Sequence, residues 1–297
     1  MTIEPALDFG PALPRGAALK ALVRALREAG IDSAPIDGRV LLCAALGIDH
    51  AMLIRDPDRP LGSGAATLVA FAARRLQREP VSRILGQREF WQARFKIAPE
   101  VLDPRPETET LVEAILDHAA RFPRENWRIL DIGTGSGAIL CSVLQSLSEA
   151  SGVGVDISPA ACAVARDNLA AFGLESRGFI VCGDWVRAFR GRFDVIVSNP
   201  PYVASGAIGG LEPEVRHDPR VALDGGEDGL AAYRDIIPAL PGLLAPGGLV
   251  ALELGADQYF AVESLLRGRF EYPAEVRLDL YGRRRVVLAR DGARGGA

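Results

Sequence analysis

The sequence predicts an α/β protein: a parallel sheet with helices on both faces, finished by an antiparallel pair and preceded by a small all-α bundle and a β-hairpin. Three observations carry this. From Trp127 onward, apolar strand-like runs alternate with helical ones, the pattern of a sheet wound through crossover helices. From about Gly16 to Arg78 the apolar residues recur at helical spacing, with no strand alternation. Between Val81 and Val101, aromatic and β-branched residues alternate with polar ones around a turn at Gln92 to Arg94.

In the first region, "AALKALVRALREAG" sets Leu19, Leu22, Val23 and Leu26 on one helical face, and Gly30 supplies the stop. "APIDGRVLLCAALG" and "GAATLVAFAARRLQREP" repeat the theme, giving a helical domain over 1–80. The hairpin at 81–101 links it to a second, larger domain. In "LDPRPETETLVEAILDHAARF", Pro106 suits a first helical turn, acidic residues sit at the positive end, and Leu111, Val112, Ile115 and Leu116 share a face. Then "WRILDIG", "GVGVDIS", "GFIVCGD", "FDVIVSNPPY" and "GGLVALELG" read as strands, most with helices between them. "AEVRLDLYGRRRVVLAR" reads as a closing hairpin around Tyr281 and Gly282, so this domain covers 102–290 and leaves 291–297 as a disordered tail.

Composition excludes several classes. With 297 residues, 48% of them apolar and 24% charged, the chain has a globular balance, and no run nears the roughly 20 apolar residues that span a bilayer. The amino terminus lacks a secretory or transit pattern, so a cytoplasmic protein is expected, without membrane association. Cys43, Cys141, Cys162 and Cys182 never approach CxxC spacing, and His50, His118 and His217 stand alone. Neither disulfides nor a metal site is expected. A net charge of −4 weighs against direct nucleic-acid binding.

Function concentrates at strand ends. "ILDIGTGSGAIL" places Asp131 at the end of one strand and Gly133, Gly135 and Gly137 in the turn after it, where a ligand can approach the backbone closely. The spacing is GxGxG, not the GxGxxG of dinucleotide sites. Asp156 ends the next strand, where a carboxylate can accept both hydroxyls of a ribose. "CGDW" then offers Asp184 to an adenine amino group and Trp185 as an apolar neighbour.

These strand ends resemble those of the class I S-adenosylmethionine-dependent methyltransferases, a Rossmann-like fold with a seven-stranded, mostly parallel sheet and an antiparallel last strand. The resemblance implies S-adenosylmethionine as cofactor. It assigns Asp131, Ile132, Gly133, Thr134 and Gly135 to the methionine part, Asp156 to the ribose, and Asp184, Trp185 and Asn199 to the rest of the site. Asn199-Pro200-Pro201-Tyr202 resembles the signature of methyltransferases acting on a nitrogen conjugated to a π system, an adenine amine or a glutamine amide. Such a nitrogen is a poor nucleophile and must be held in line with the methyl group. The Asn199 side-chain oxygen and Pro200 carbonyl can take its two hydrogens, Pro201 stiffens the backbone, and Tyr202 offers a ring face.

The motif leaves base and amide open; the flanking segments decide. "PVSRILGQREF", "REFWQARFKIAPEVLDPRPETETLVE" and "LEPEVRHDPRVALDGGEDGLAAYRDII" resemble the release factor glutamine methyltransferases over nearly the whole chain. Asp103 departs from them, at a position where a more apolar residue is usual. The resemblance implies N5-methylation of the glutamine in the Gly-Gly-Gln tripeptide of class 1 release factors. The helical domain would then contact that protein substrate, and the enzyme is expected to act as a monomer. An adenine-N6 methyltransferase and a cofactor-binding protein without catalysis are the alternatives.

Overall fold

The computed structural model describes residues 9–187, 189–270 and 274–291; apart from Asp291, the expected tail lies outside them. The chain divides into two compact units, the first running to Gly86 and taking in Pro213–His217, the second comprising Gln87–Glu212 and the chain from Asp218 onward.

The first unit is helical: α1 (Arg15–Glu28), α2 (Ala34–Leu46), α3 (His50–Arg55), α4 (Ala65–Leu76) and α5 (Val81–Leu85). Ala18, Leu22 and Leu26 of α1 are buried against Leu41 and Leu42 of α2 and Leu68 and Ala72 of α4, so each amphipathic stripe finds its partner in the next. Asp49 caps α3 by accepting the Met52 amide at 2.7 Å. The buried Arg75 guanidinium joins Asp37 at 2.8 Å and Glu214 at 3.0 Å, tying the Pro213–His217 segment into this unit.

The second unit opens with a hairpin, β1 (Gln87–Phe90) and β2 (Ala93–Lys96). Its turn is Trp91–Gln92, earlier than the expected Gln92 to Arg94, and residues 81–85 form α5 instead of extended chain. The shift has a physical cause. The Trp91 amide donates to the Glu109 carboxylate at 2.8 Å, which holds Trp91 in the left-handed region at φ 54°. Glu109 opens α6 (Glu109–Arg121), entered through a 3-10 turn that has Pro106 at its start.

The remaining elements are β3 (Arg128–Ile132), α7 (Ala138–Ser146), β4 (Ser151–Asp156), α8 (Pro159–Ala171), β5 (Gly178–Cys182), β6 (Phe193–Ser198), α9 (Ala231–Ile236), α10 (Leu240–Leu243), β7 (Leu244–Glu253), α11 (Tyr259–Leu266), β8 (Glu275–Leu278) and β9 (Arg284–Arg290). Among the described residues the sheet has seven strands in the order β5-β4-β3-β6-β7-β9-β8. β3 to β7 run parallel, and β9 lies antiparallel between β7 and β8. Alternate side chains serve opposite faces. Ile129, Val195 and Val197 pack with Leu111, Ile115, Leu140 and Leu144 on one side. Leu130, Ile132 and Ile196 pack with Tyr233, Ile236, Leu240 and Val262 on the other. Burial on both faces is why these strands read as continuous apolar runs.

Candidate active site

The sheet order places the site. β4 and β5 extend from one side of β3, while β6 returns to its other side, so the turns after β3 and β6 diverge and leave a crevice at the strands' carboxyl ends. The Ser198 hydroxyl donates to the Ile132 carbonyl at 2.7 Å and pins the two strand ends together. A cavity of about 260 Å³ opens there, near the lower end of small-ligand pockets, about 300 Å³.

One half of the cavity is the turn after β3. Gly133 and Gly135 have φ of 71° and 55°, which a side chain would strain, and their turn folds back so that the Gly133 and Thr134 amides donate to the Val155 carbonyl. The Asp156 carboxylate accepts the Gly135 and Ser158 amides, both at 2.9 Å. Asp131 lies beneath this turn, fully buried, with one oxygen accepting the Thr134 hydroxyl at 2.7 Å and Oδ1 without a hydrogen-bond partner. Burial pushes its pKa up to about 7, against the opposing pull of Thr134.

The other half is the segment after β6. Asn199 donates through Nδ2 to the Thr108 hydroxyl at 3.1 Å, which turns its carboxamide oxygen away from Thr108. Tyr202 directs its hydroxyl to the Glu253 carboxylate at 3.2 Å, and its main-chain oxygen accepts from the Gln258 side chain at 3.0 Å. The Val203 amide donates to the Leu223 carbonyl and the Gly225 amide to the Val203 carbonyl, so 221–224 is drawn to the cavity's edge. The same stretch is tied down by Asp224, which accepts from Ser205, Arg220 and the Gly226 amide.

Of the sequence-predicted residues, Gly133, Thr134, Gly135, Asp156, Trp185, Asn199 and Pro201 line this cavity. The Trp185 ring stands over Gly133, 3.7 Å from where a Cβ would be. Asp131, Ile132, Pro200 and Tyr202 are near neighbours in sequence of lining residues but do not line it themselves. Asp184 also lies off the lining and pairs with Arg187 at 3.1 Å on the surface. Arg105 pairs with the buried Asp218, whose other oxygen accepts the Asp103 amide at 3.2 Å. Sequence patterning singles out neither Thr108 nor Glu253. No local signal marks either one; only the pairing of β6 with β7 brings "LELG" beside "SNPPY".

Among the described residues no group of three or more His, Cys, Asp or Glu is placed to hold a metal ion, and no helix is long and apolar enough to cross a membrane. Residues 17–86 match the PrmC N-terminal domain family, and residues 106–211 match the Methyltransferase small domain family. A release factor glutamine methyltransferase of Caulobacter vibrioides is 45% identical over 89% of this chain and 91% of its own length. One of Rhodospirillum rubrum is 46% identical over 98% and 88%. The chain belongs to the release factor glutamine methyltransferase family. The chain is also similar in fold to the T. thermophilus 16S rRNA N2 G1207 methyltransferase solved with AdoMet and guanosine, with TM-score 0.50 at 21% identity over 69% of this chain and 49% of that one. As a release factor glutamine methyltransferase the protein is an enzyme.

Proposed function

We propose that this methyltransferase uses S-adenosylmethionine to methylate the side-chain nitrogen, N5, of the glutamine in the Gly-Gly-Gln tripeptide of class 1 release factors. The observation that carries the reading is that Asn199 and the glycine turn after β3 line one cavity. The residues there suit that cofactor. Asp156 stands at a strand end where a ribose can be held, Trp185, Val101 and Ala138 supply apolar wall, and the Asp156 carboxylate favours a cationic ligand. When bound, the cofactor supplies a methyl group on a sulfonium.

The chain's own residues do the rest. The Asn199 carboxamide oxygen and Pro200 carbonyl accept the two amide hydrogens of the glutamine, orienting its nitrogen and favouring tetrahedral geometry. Pro200 and Pro201 stiffen the backbone that presents these acceptors. No strong base is required, because the proton on a newly alkylated amide nitrogen is acidic. The helical unit contacts the release factor away from the tripeptide, and a cytoplasmic, monomeric enzyme fits this role.

Incubating the purified protein with isotopically labelled S-adenosylmethionine and a release factor, then locating the label by mass spectrometry, tests the reading. Label on the Gly-Gly-Gln glutamine is expected, and none after that glutamine is replaced. Label that survives the replacement, or that goes instead to an oligonucleotide adenine, would refute it.

A further inference from the structure

Glu253 ends β7 with its carboxyl group buried, 1% exposed, beneath the Asn199–Tyr202 segment. A carboxylate is left there without water only where its neighbours use it. Oε1 accepts the Tyr202 hydroxyl at 3.2 Å, and the Glu253 main-chain oxygen accepts the Tyr233 hydroxyl at 2.7 Å. Oε2 has no partner at ordinary hydrogen-bond geometry. The Thr108 side chain stands near enough to the carboxyl group to lower its pKa.

Thr108 is unusual in what it does not do. It stands at the N-cap of α6, a position where threonine commonly caps the helix amides, yet its side chain makes no cap bond. Its oxygen is instead taken by Asn199 Nδ2 at 3.1 Å. A hydroxyl that accepts from one neighbour keeps its single hydrogen to donate, and the buried acceptor left open beside Thr108 is Glu253 Oε2. Direction then propagates along the chain of bonds. With the Thr108 hydrogen drawn to a carboxylate, only a donor can face the Thr108 oxygen, so Asn199 presents Nδ2 to Thr108 and its carboxamide oxygen elsewhere. Without that carboxylate the hydroxyl can donate to Asn199 instead, and the amide can turn over, offering the substrate a donor where it needs an acceptor.

We propose that Glu253 is a positioning residue for methyl transfer: through Thr108 it fixes which end of the Asn199 amide meets the substrate, and through Tyr202 it holds the ring of the same segment. The inference rests on the reading of Asn199 as an acceptor for the substrate amide. It also implies a pH response, because only the ionised carboxylate accepts from both hydroxyls. Burial raises Glu253 to about 7 in spite of Thr108, Arg285 and Tyr202, with Glu107 adding to the rise. The charged and titratable groups facing it are therefore Arg285 from β9, itself paired with Asp279, Glu107 before α6, Tyr202 after β6 and Tyr233 from α9.

The test compares wild type with Glu253→Gln, Thr108→Val and Thr108→Ser for methylation of a release factor, with S-adenosylmethionine binding measured separately by calorimetry. Expected for Glu253→Gln and Thr108→Val is a loss in kcat on the order of 10- to 100-fold, with cofactor binding unchanged. Thr108→Ser should restore most of the rate, and the two losses should be less than additive in the double variant. Wild-type kcat should rise with pH through about 7, and that acid limb should vanish in Glu253→Gln. If Glu253→Gln keeps both the wild-type rate and the acid limb, or if Thr108→Ser loses as much as Thr108→Val, the positioning role is overturned. Should Glu253→Gln fail to fold, the Thr108 pair decides by itself. Failure of wild type to methylate the glutamine would instead overturn the functional reading, and the positioning role with it.

Discussion

The crevice stands on two buried carboxylates, Asp131 under the glycine turn and Glu253 under the Asn-Pro-Pro-Tyr segment. Each lies at or beside the end of a parallel strand, each accepts a hydroxyl, and burial raises each to about 7. They differ in reach. Asp131 holds Thr134, three residues on in the same turn, whereas Glu253 holds Tyr202, 51 residues earlier in the segment after β6. The first arrangement shapes the glycine turn at the cavity's wall and depends on local sequence. The second joins the ends of two strands and, on the proposed positioning role, sets the direction of the Asn199 amide; it depends on the sheet order.

The largest expected effect falls on the Glu253 half alone. On the proposed reading, Asn199→Ala removes an acceptor aimed at the reacting nitrogen, and losing one such preorganised hydrogen bond costs about 100- to 1,000-fold in kcat. Calorimetry should find S-adenosylmethionine binding nearly intact in this variant. A matching collapse of cofactor binding would erase the distinction between the two halves.

A smaller effect should appear on the Asp131 half. Gly154 pairs with Asp131 across β3 and β4, and a Cβ there would lie 2.7 Å from the Thr134 hydroxyl and 2.9 Å from Ile180 Cδ1. Gly154→Ala must push Thr134 off Asp131 or shift the strand, an overpacking cost of about 1–3 kcal/mol. Thermal melting should drop and cofactor affinity should weaken, while kcat at saturating cofactor stays near wild type. A lower kcat with unchanged affinity would assign the turn to the chemistry instead.

The same contrast explains what the sequence made legible. The strands, the glycine turn and Asp156 are written in contiguous residues whose spacing has a local physical meaning, and "SNPPY" announces itself by stopping a strand on two prolines. Thr108 and Glu253 carry no such mark. Thr108 resembles any helix cap, and Glu253 resembles any polar residue ending a strand, until β3, β6 and β7 are laid side by side. Asp184, whose position after β5 invites a ligand, pairs at the surface with Arg187 three residues on. The hairpin turn moved for a similar reason, since Glu109 fixes Trp91 from 18 residues away.

The smallest effect is on stability, and it unites the two carboxylates. Asp131 and Glu253 rise from ordinary values of 3.8 and 4.5 to about 7, so between pH 7 and about 4.5 the folded chain keeps two protons that the unfolded chain has released. Stability from these groups is therefore fully present below the unfolded values and is lost as pH rises through 7. His118 opposes them. Burial, with Arg290, Arg124 and Arg121 nearby, lowers it from 6.5 to about 4, so below 6.5 the unfolded chain takes up one proton that the folded chain refuses. The balance is one proton in favour of the fold, worth up to about 1.4 kcal/mol per pH unit between roughly 4.5 and 6.5. Below that window the gain ends, and carboxylates held low by arginines, such as Glu79 by Arg74, begin to cost stability. The three tryptophans, Trp91, Trp127 and Trp185, all belong to the second unit with Asp131, Glu253 and His118, so their fluorescence tracks the relevant unfolding. The melting midpoint should climb as pH is lowered from 8 to about 5, and the climb should flatten in Asp131→Asn and in Glu253→Gln alike. Flattening in only one of them would show that the two carboxylates, so similar in burial, are not equivalent supports of the crevice.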